Sequence, residues 1–122
     1  PRFVAADLLS QAEHDELASA ILITTSQELA EKVSEEVDGF LKVLSRSDII
    51  SKSLDNFGYI LVTDSHQEAI DTVDAIAPEH LEIVTKNPFE DMMKVHNAGA
   101  ILPARTISCR RTEPQNSSPR CP

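Results

Sequence analysis

The sequence predicts an α/β domain built on an open, mainly parallel four-stranded sheet with helices on both faces. Three observations carry this. Stretches with apolar residues every three or four positions alternate with short, continuously apolar runs rich in Ile and Val, as expected of strands covered on both sides. The elements follow the order α-β-α-α-β-α-β-α-β, and strands separated by helices imply parallel pairing with right-handed crossovers. Hydrophobic residues make up 41% of the chain and aromatics 4%, with no Trp. That composition suits an aliphatic interior.

The first segment, "FVAADLLSQAEHDE", places Val4, Leu8 and Leu9 at helical spacing, with Ala5 and Ala12 between them. "SAILITTS" follows, and its apolar run Ala20 to Ile23 predicts a buried strand. Thr25-Ser26-Gln27-Glu28 fits a Thr-x-x-Glu capping box. Leu29, Val33, Val37, Phe40, Leu41 and Leu44 then mark one face of a long amphipathic helix. Its other face carries Glu31, Lys32, Glu35, Glu36 and Asp38, a solvated surface. A shorter helix spans Ser47 to Leu54 and stops at Asn56-Phe57-Gly58.

"YILVTDS" is the second strand. Ser65 and Glu68 form a further capping box, and Ala69, Ile70, Val73 and Ile76 are the inward face of the helix behind it. Pro78 ends that helix, because a residue before proline is pushed out of the α region. "LEIVT" is the third strand, "NPFEDMMKV" a short helix with Pro in its first turn, and "AGAIL" the fourth strand.

With 122 residues the chain has room for one domain with its own core. Its formal net charge of -9 argues against a nucleic-acid or anionic-membrane partner. No apolar run approaches the ~20 residues of a membrane span, and no signal-peptide pattern is present, so the expected location is cytoplasmic. The first residue is Pro, not Met, as in a piece of a longer chain. Cys109 and Cys121 have neither a disulfide framework nor zinc-finger spacing. Residues 1–102 read as the α/β segment. Residues 103–122 hold four of the seven prolines, four of the six arginines and both cysteines, without periodicity. They read as an atypical tail, foreign or out of frame.

Two constellations could carry chemistry. Glu79 and His80, directly behind Pro78, suit a general acid/base pair, since imidazole titrates near neutrality and a carboxylate can be tuned toward it. They equally suit a helix-stop loop with two solvated side chains. Gln11 and His14 lie three apart and share a helix face, with Asp7 one turn earlier on the same side. They form part of a metal site or an exposed polar surface; zinc usually takes three or four protein ligands. His14 precedes the first strand and Glu79-His80 the third, so parallel strands would bring both pairs to the amino-terminal edge of the sheet. His66 and His96 read as surface residues. With three glycines in all, there is no G-x-G-x-x-G cofactor fingerprint.

Taken together, "FVAADLLSQAEHD", "ILITTSQELAEKV", "AIAPEHLEIV" and "NAGAIL" closely resemble histidinol dehydrogenase over residues 1–102. The resemblance implies a partial Rossmann-like unit of that family's α/β fold. It implies oxidation of L-histidinol through L-histidinal to L-histidine in histidine biosynthesis, with two NAD and a zinc ion that holds the substrate, in a homodimer. Gln11 and His14 match two zinc ligands, Glu79 the base that activates water, and His80 the base that takes the alcohol proton. The family's NAD-binding domain and its other zinc ligands have no counterpart in this sequence, so this piece alone is expected to be inactive. The alternative is a non-catalytic α/β module for binding or oligomerisation.

Overall fold

The computed structural model describes residues 1–13, 17–43 and 47–105. Five helices and four strands follow in the predicted order: α1 (Arg2–Ala12), β1 (Ala20–Thr24), α2 (Gln27–Leu41), α3 (Ser47–Phe57), β2 (Gly58–Val62), α4 (His66–Ile76), β3 (His80–Thr85), α5 (Pro88–Met92) and β4 (Ala100–Arg105). All strand pairing among the described residues is parallel, as expected. The single four-stranded sheet is instead two pairs: β1 runs beside β2 and β3 beside β4. Helix α4 packs against β1, and α1, α2 and α3 pack against the first pair, whereas α5 is the main cover of the second. Helical cover is therefore concentrated on one half.

The core lies where α1 meets α2 and α3. Leu9, Ala12 and Ile50 are buried together, with Val37, Phe40, Leu41 and Leu54 packed around them. Val33 is also fully buried. These positions are those of the 3.6-residue pattern, so the stripe read from sequence is the stripe that folds inward. Buried Ser53 donates its hydroxyl to the carbonyl of Ala18 at 2.7 Å, tying α3 to the segment before β1. Ile76, expected on the inner face of α4, is instead exposed. So are Tyr59, Ile60 and Val62 of β2, Val84 of β3 and Leu102 of β4.

The caps differ from the predicted ones by small, explicable shifts. The cap of α2 is Ser26, not Thr25: its hydroxyl accepts the Leu29 N–H at 3.1 Å. Thr24 Oγ1 accepts the Ser26 N–H, which holds the chain extended for one residue more. The third helical position is then Leu29, which cannot reciprocate, and Glu28 pairs with Lys32 along the helix. At α4 Ser65 caps as expected by accepting from Glu68 N–H, while the Glu68 carboxylate returns to the N–H of Asp64 and not of Ser65. Helix α3 runs on to Phe57 and turns directly into β2. Gly58 permits this, since a Cβ there would lie 2.7 Å from the Leu54 carbonyl oxygen. β4 continues through Pro103 and Ala104 to Arg105, three residues past the boundary read from composition. Proline is tolerated there because, among the described residues, β4 has a partner on one side only.

Helix α4 stops at Ala77, which leaves the right-handed region as Pro78 requires but turns left-handed, at φ 51° and ψ 60°, not extended. An L-residue with a Cβ pays about 1–2 kcal/mol there. Ala77→Gly is therefore expected to raise stability by about 0.5–1 kcal/mol after the larger unfolded-state entropy of glycine is subtracted. Urea denaturation of the two chains measures it.

Candidate functional site

Glu79 and His80 stand at the joint between α4 and β3, and His80 is the first residue of the strand. Their side chains are 90% and 59% exposed, with Glu79 Oε1 3.8 Å from His80 Nε2. That is too long for a hydrogen bond, so each group is available to act separately. The backbone beneath them is tightly held. Pro78 O accepts from Gly99 N–H at 3.0 Å and Glu79 O from Ala100 N–H at 2.8 Å. These bonds extend the β3–β4 ladder back beyond the register pair His80 and Ala100. Gly99 passes so close that a Cβ would sit 2.7 Å from the Glu79 carbonyl oxygen.

Gln11 is exposed in the last turn of α1. His14 lies outside the described residues, as do Cys109 and Cys121. Gln11 precedes β1, which starts at Ala20, whereas Glu79 precedes β3 and His80, expected before the strand, opens it because its backbone already pairs with Ala100. Because β1 and β3 belong to different pairs, no ladder sets a common edge. The Glu82 carboxyl is pushed above its ordinary value by burial and by the charge of Asp7 on α1. Asp7 is one turn from Gln11 on the same helix face, and Glu82 shares a strand face with His80. Among the described residues no group of three His, Cys, Asp or Glu side chains could hold a metal.

The two histidines read as surface residues have partners. His96 Nδ1 lies 2.9 Å from Asp74 Oδ2, and His66 Nε2 lies 2.8 Å from Asp91 Oδ1. Asp91 is buried and also accepts the Thr85 hydroxyl at 2.6 Å. It helps line a cleft of about 460 Å³ with Thr25, His66 and Lys86 at the carboxyl ends of β1 and β3. Most charges there satisfy one another: Lys94 reaches both Glu90 and Asp91. These pairings span 22 and 25 residues, and no local spacing announces them.

Both aspartates have lowered pKa values. For Asp74 the causes are the Asn97 backbone N–H, then the His96 side chain and backbone. For Asp91 burial acts upward, but bonds from Thr85 and His66 outweigh it. An acid whose folded pKa is depressed contributes stability above its unfolded pKa and loses it as pH falls through the folded one. Glu82 has the opposite sign: its raised pKa makes the folded state less favourable once pH exceeds the unfolded value. Stability is thus expected to fall as pH drops below the ordinary carboxylate range and through the depressed pKa values of Asp74 and Asp91. Urea midpoints across pH 2–6 test this, and the fall should shrink in Asp74→Asn.

The family model described as "Histidinol dehydrogenase" matches residues 1–109. A histidinol dehydrogenase from Caldanaerobacter subterraneus subsp. tengcongensis is 57% identical over 102 residues, covering 84% of this chain and 24% of that protein. One from Clostridium acetobutylicum is 55% identical over the same length and coverage. The crystal structure of histidinol dehydrogenase from Elizabethkingia anophelis superposes with a TM-score of 0.82 at 35% identity, over 87% of this chain and 24% of that one. The chain thus spans about a quarter of the length of the relatives it matches. No helix among the described residues is long and apolar enough to cross a membrane.

Proposed function

Because the chain belongs to the histidinol dehydrogenase family, we propose that it supplies one catalytic edge of an enzyme that oxidises L-histidinol through L-histidinal to L-histidine with NAD. The observation that carries this is the joint behind Pro78: two exposed, mutually unbonded groups, Glu79 and His80, on a backbone fixed by the β3–β4 ladder. His80 takes the alcohol proton as hydride leaves the neighbouring carbon, and Glu79 takes a proton from water for the second oxidation. Gln11 and His14 would be two of the residues holding a zinc ion, which when bound would supply polarisation of the substrate oxygen. The coupling of Asp7 to Glu82 supports the approach of the Gln11 face to the His80 face.

The enzyme is a homodimer in this reading, and the bare apolar residues of β2, β3 and β4 are surfaces covered in the larger unit. Alone, the 122-residue chain is inactive. The test is to combine it with the remaining segments of the Caldanaerobacter relative and follow NADH formation from histidinol. Activity above that of either part supports the reading. No activity from a complex that demonstrably assembles favours the alternative, a non-catalytic binding or oligomerisation module.

A further inference from the structure

Asp74 stands in the last turn of α4, where the helix dipole disfavours a carboxylate and no basic residue offsets it. Its environment supplies the compensation. Oδ1 accepts the backbone N–H of His96 at 2.7 Å and of Asn97 at 2.9 Å, and Oδ2 faces His96 Nδ1. Asn97 Nδ2 donates back to the Asp74 carbonyl at 3.2 Å, satisfying one of the acceptors that a helix end leaves unpaired. Only Ala98 separates Asn97 from Gly99, whose N–H holds Pro78 O and where a Cβ would meet the Glu79 carbonyl oxygen. The chain from Ala77 to His80 is therefore gripped from one side by the end of α4 and from the other by residues 96–100.

Glu79 and His80 themselves are largely exposed, so packing does little to orient their side chains. Their placement depends on the backbone, and that backbone starts from the strained left-handed Ala77. We propose that Asp74, acting through His96 and Asn97, is a positioning residue that locks the Glu79–His80 doublet into its reactive register. The proposal rests on the catalytic reading given above. A misplacement of about 1 Å at such a base costs on the order of 10²-fold in rate, so a latch two residues from the clamp has leverage on turnover.

Amide hydrogen exchange on the 122-residue chain tests the mechanical part. In Asp74→Ala the Gly99 and Ala100 amides should exchange at least about tenfold faster, with those of Ile60 and Leu61 in β2 unchanged; Asp74→Asn, which keeps one acceptor oxygen, should recover part of the protection. Unchanged Gly99 and Ala100, or equal acceleration throughout, overturns the latch. The catalytic part is read in the Caldanaerobacter enzyme carrying residues 1–102 in place of its own matching segment. There Asp74→Ala should lower kcat about tenfold or more with KM for histidinol little changed, and Asp74→Asn should partly rescue it. If His80→Ala lowers kcat and Asp74→Ala does not, positioning by Asp74 is wrong. If His80→Ala itself leaves kcat intact, the catalytic reading fails, and the exchange pattern alone decides whether the latch exists.

Discussion

His80→Ala in the reassembled enzyme is expected to lower kcat by about 10²–10⁴-fold while leaving the fold intact. The fold should survive because the His80 side chain is exposed and, among the described residues, has only the 3.8 Å approach of Glu79 Oε1 as an ion-pair neighbour. The kinetic loss should be large because removing a positioned base leaves the alcohol proton to water. Glu79→Gln should separate the two halves of the reaction. It keeps the size of the side chain, removes the base for water, and should slow oxidation of histidinal more than that of histidinol. Single-turnover NADH formation from each substrate distinguishes them. Equal rates in wild type and His80→Ala would remove the doublet from the chemistry.

Ile50→Ala is expected to destabilise the chain by about 2–5 kcal/mol, the usual cost of emptying a buried aliphatic site. Ile50 is 1% exposed and joins Leu9 and Ala12 at the meeting of α1 and α3. Domains of this size retain only about 5–15 kcal/mol in total. The part of the fold described here has helical cover on one half, so the substitution is expected to leave a substantial unfolded fraction without denaturant. Ile50→Val, at about 0.5–1.5 kcal/mol, is the graded control. Circular dichroism against urea measures both. A loss for Ile50→Ala within that of Ile50→Val would mean the site collapses freely, contrary to the packing around Val37, Phe40 and Leu54.

The residues that fixed the elements were readable because their signals are local. The Leu29–Val33–Val37 stripe, the Ile-rich run at Ala20, the Ser65 cap and the Pro78 stop each act within a few positions along the chain. The place of Glu79 and His80 at the joint between α4 and β3 was readable for the same reason, since both follow directly behind a proline. What failed to show was non-local. Whether β2 lies beside β1 alone or also beside another strand depends on surfaces that the strand's own residues do not encode, so four strands in one sheet and two pairs read alike. The partners of His66 and His96 lie 25 and 22 residues away, and only folding brings them together. The shift of the α2 cap from Thr25 to Ser26 was a contest between two equally suitable hydroxyls, decided by Thr24 reaching the Ser26 N–H.

The pairing of strands in twos has a practical consequence for anyone handling this chain. β2 is Gly58-Tyr59-Ile60-Leu61-Val62, with no charge and no proline, and among the described residues its ladder joins it to β1 alone. Its free rim offers a row of backbone donors and acceptors to any extended peptide of like character, the geometry from which fibrils lengthen. Purified stocks should therefore gain thioflavin signal on storage, and a lysine in place of Ile60 should suppress that gain.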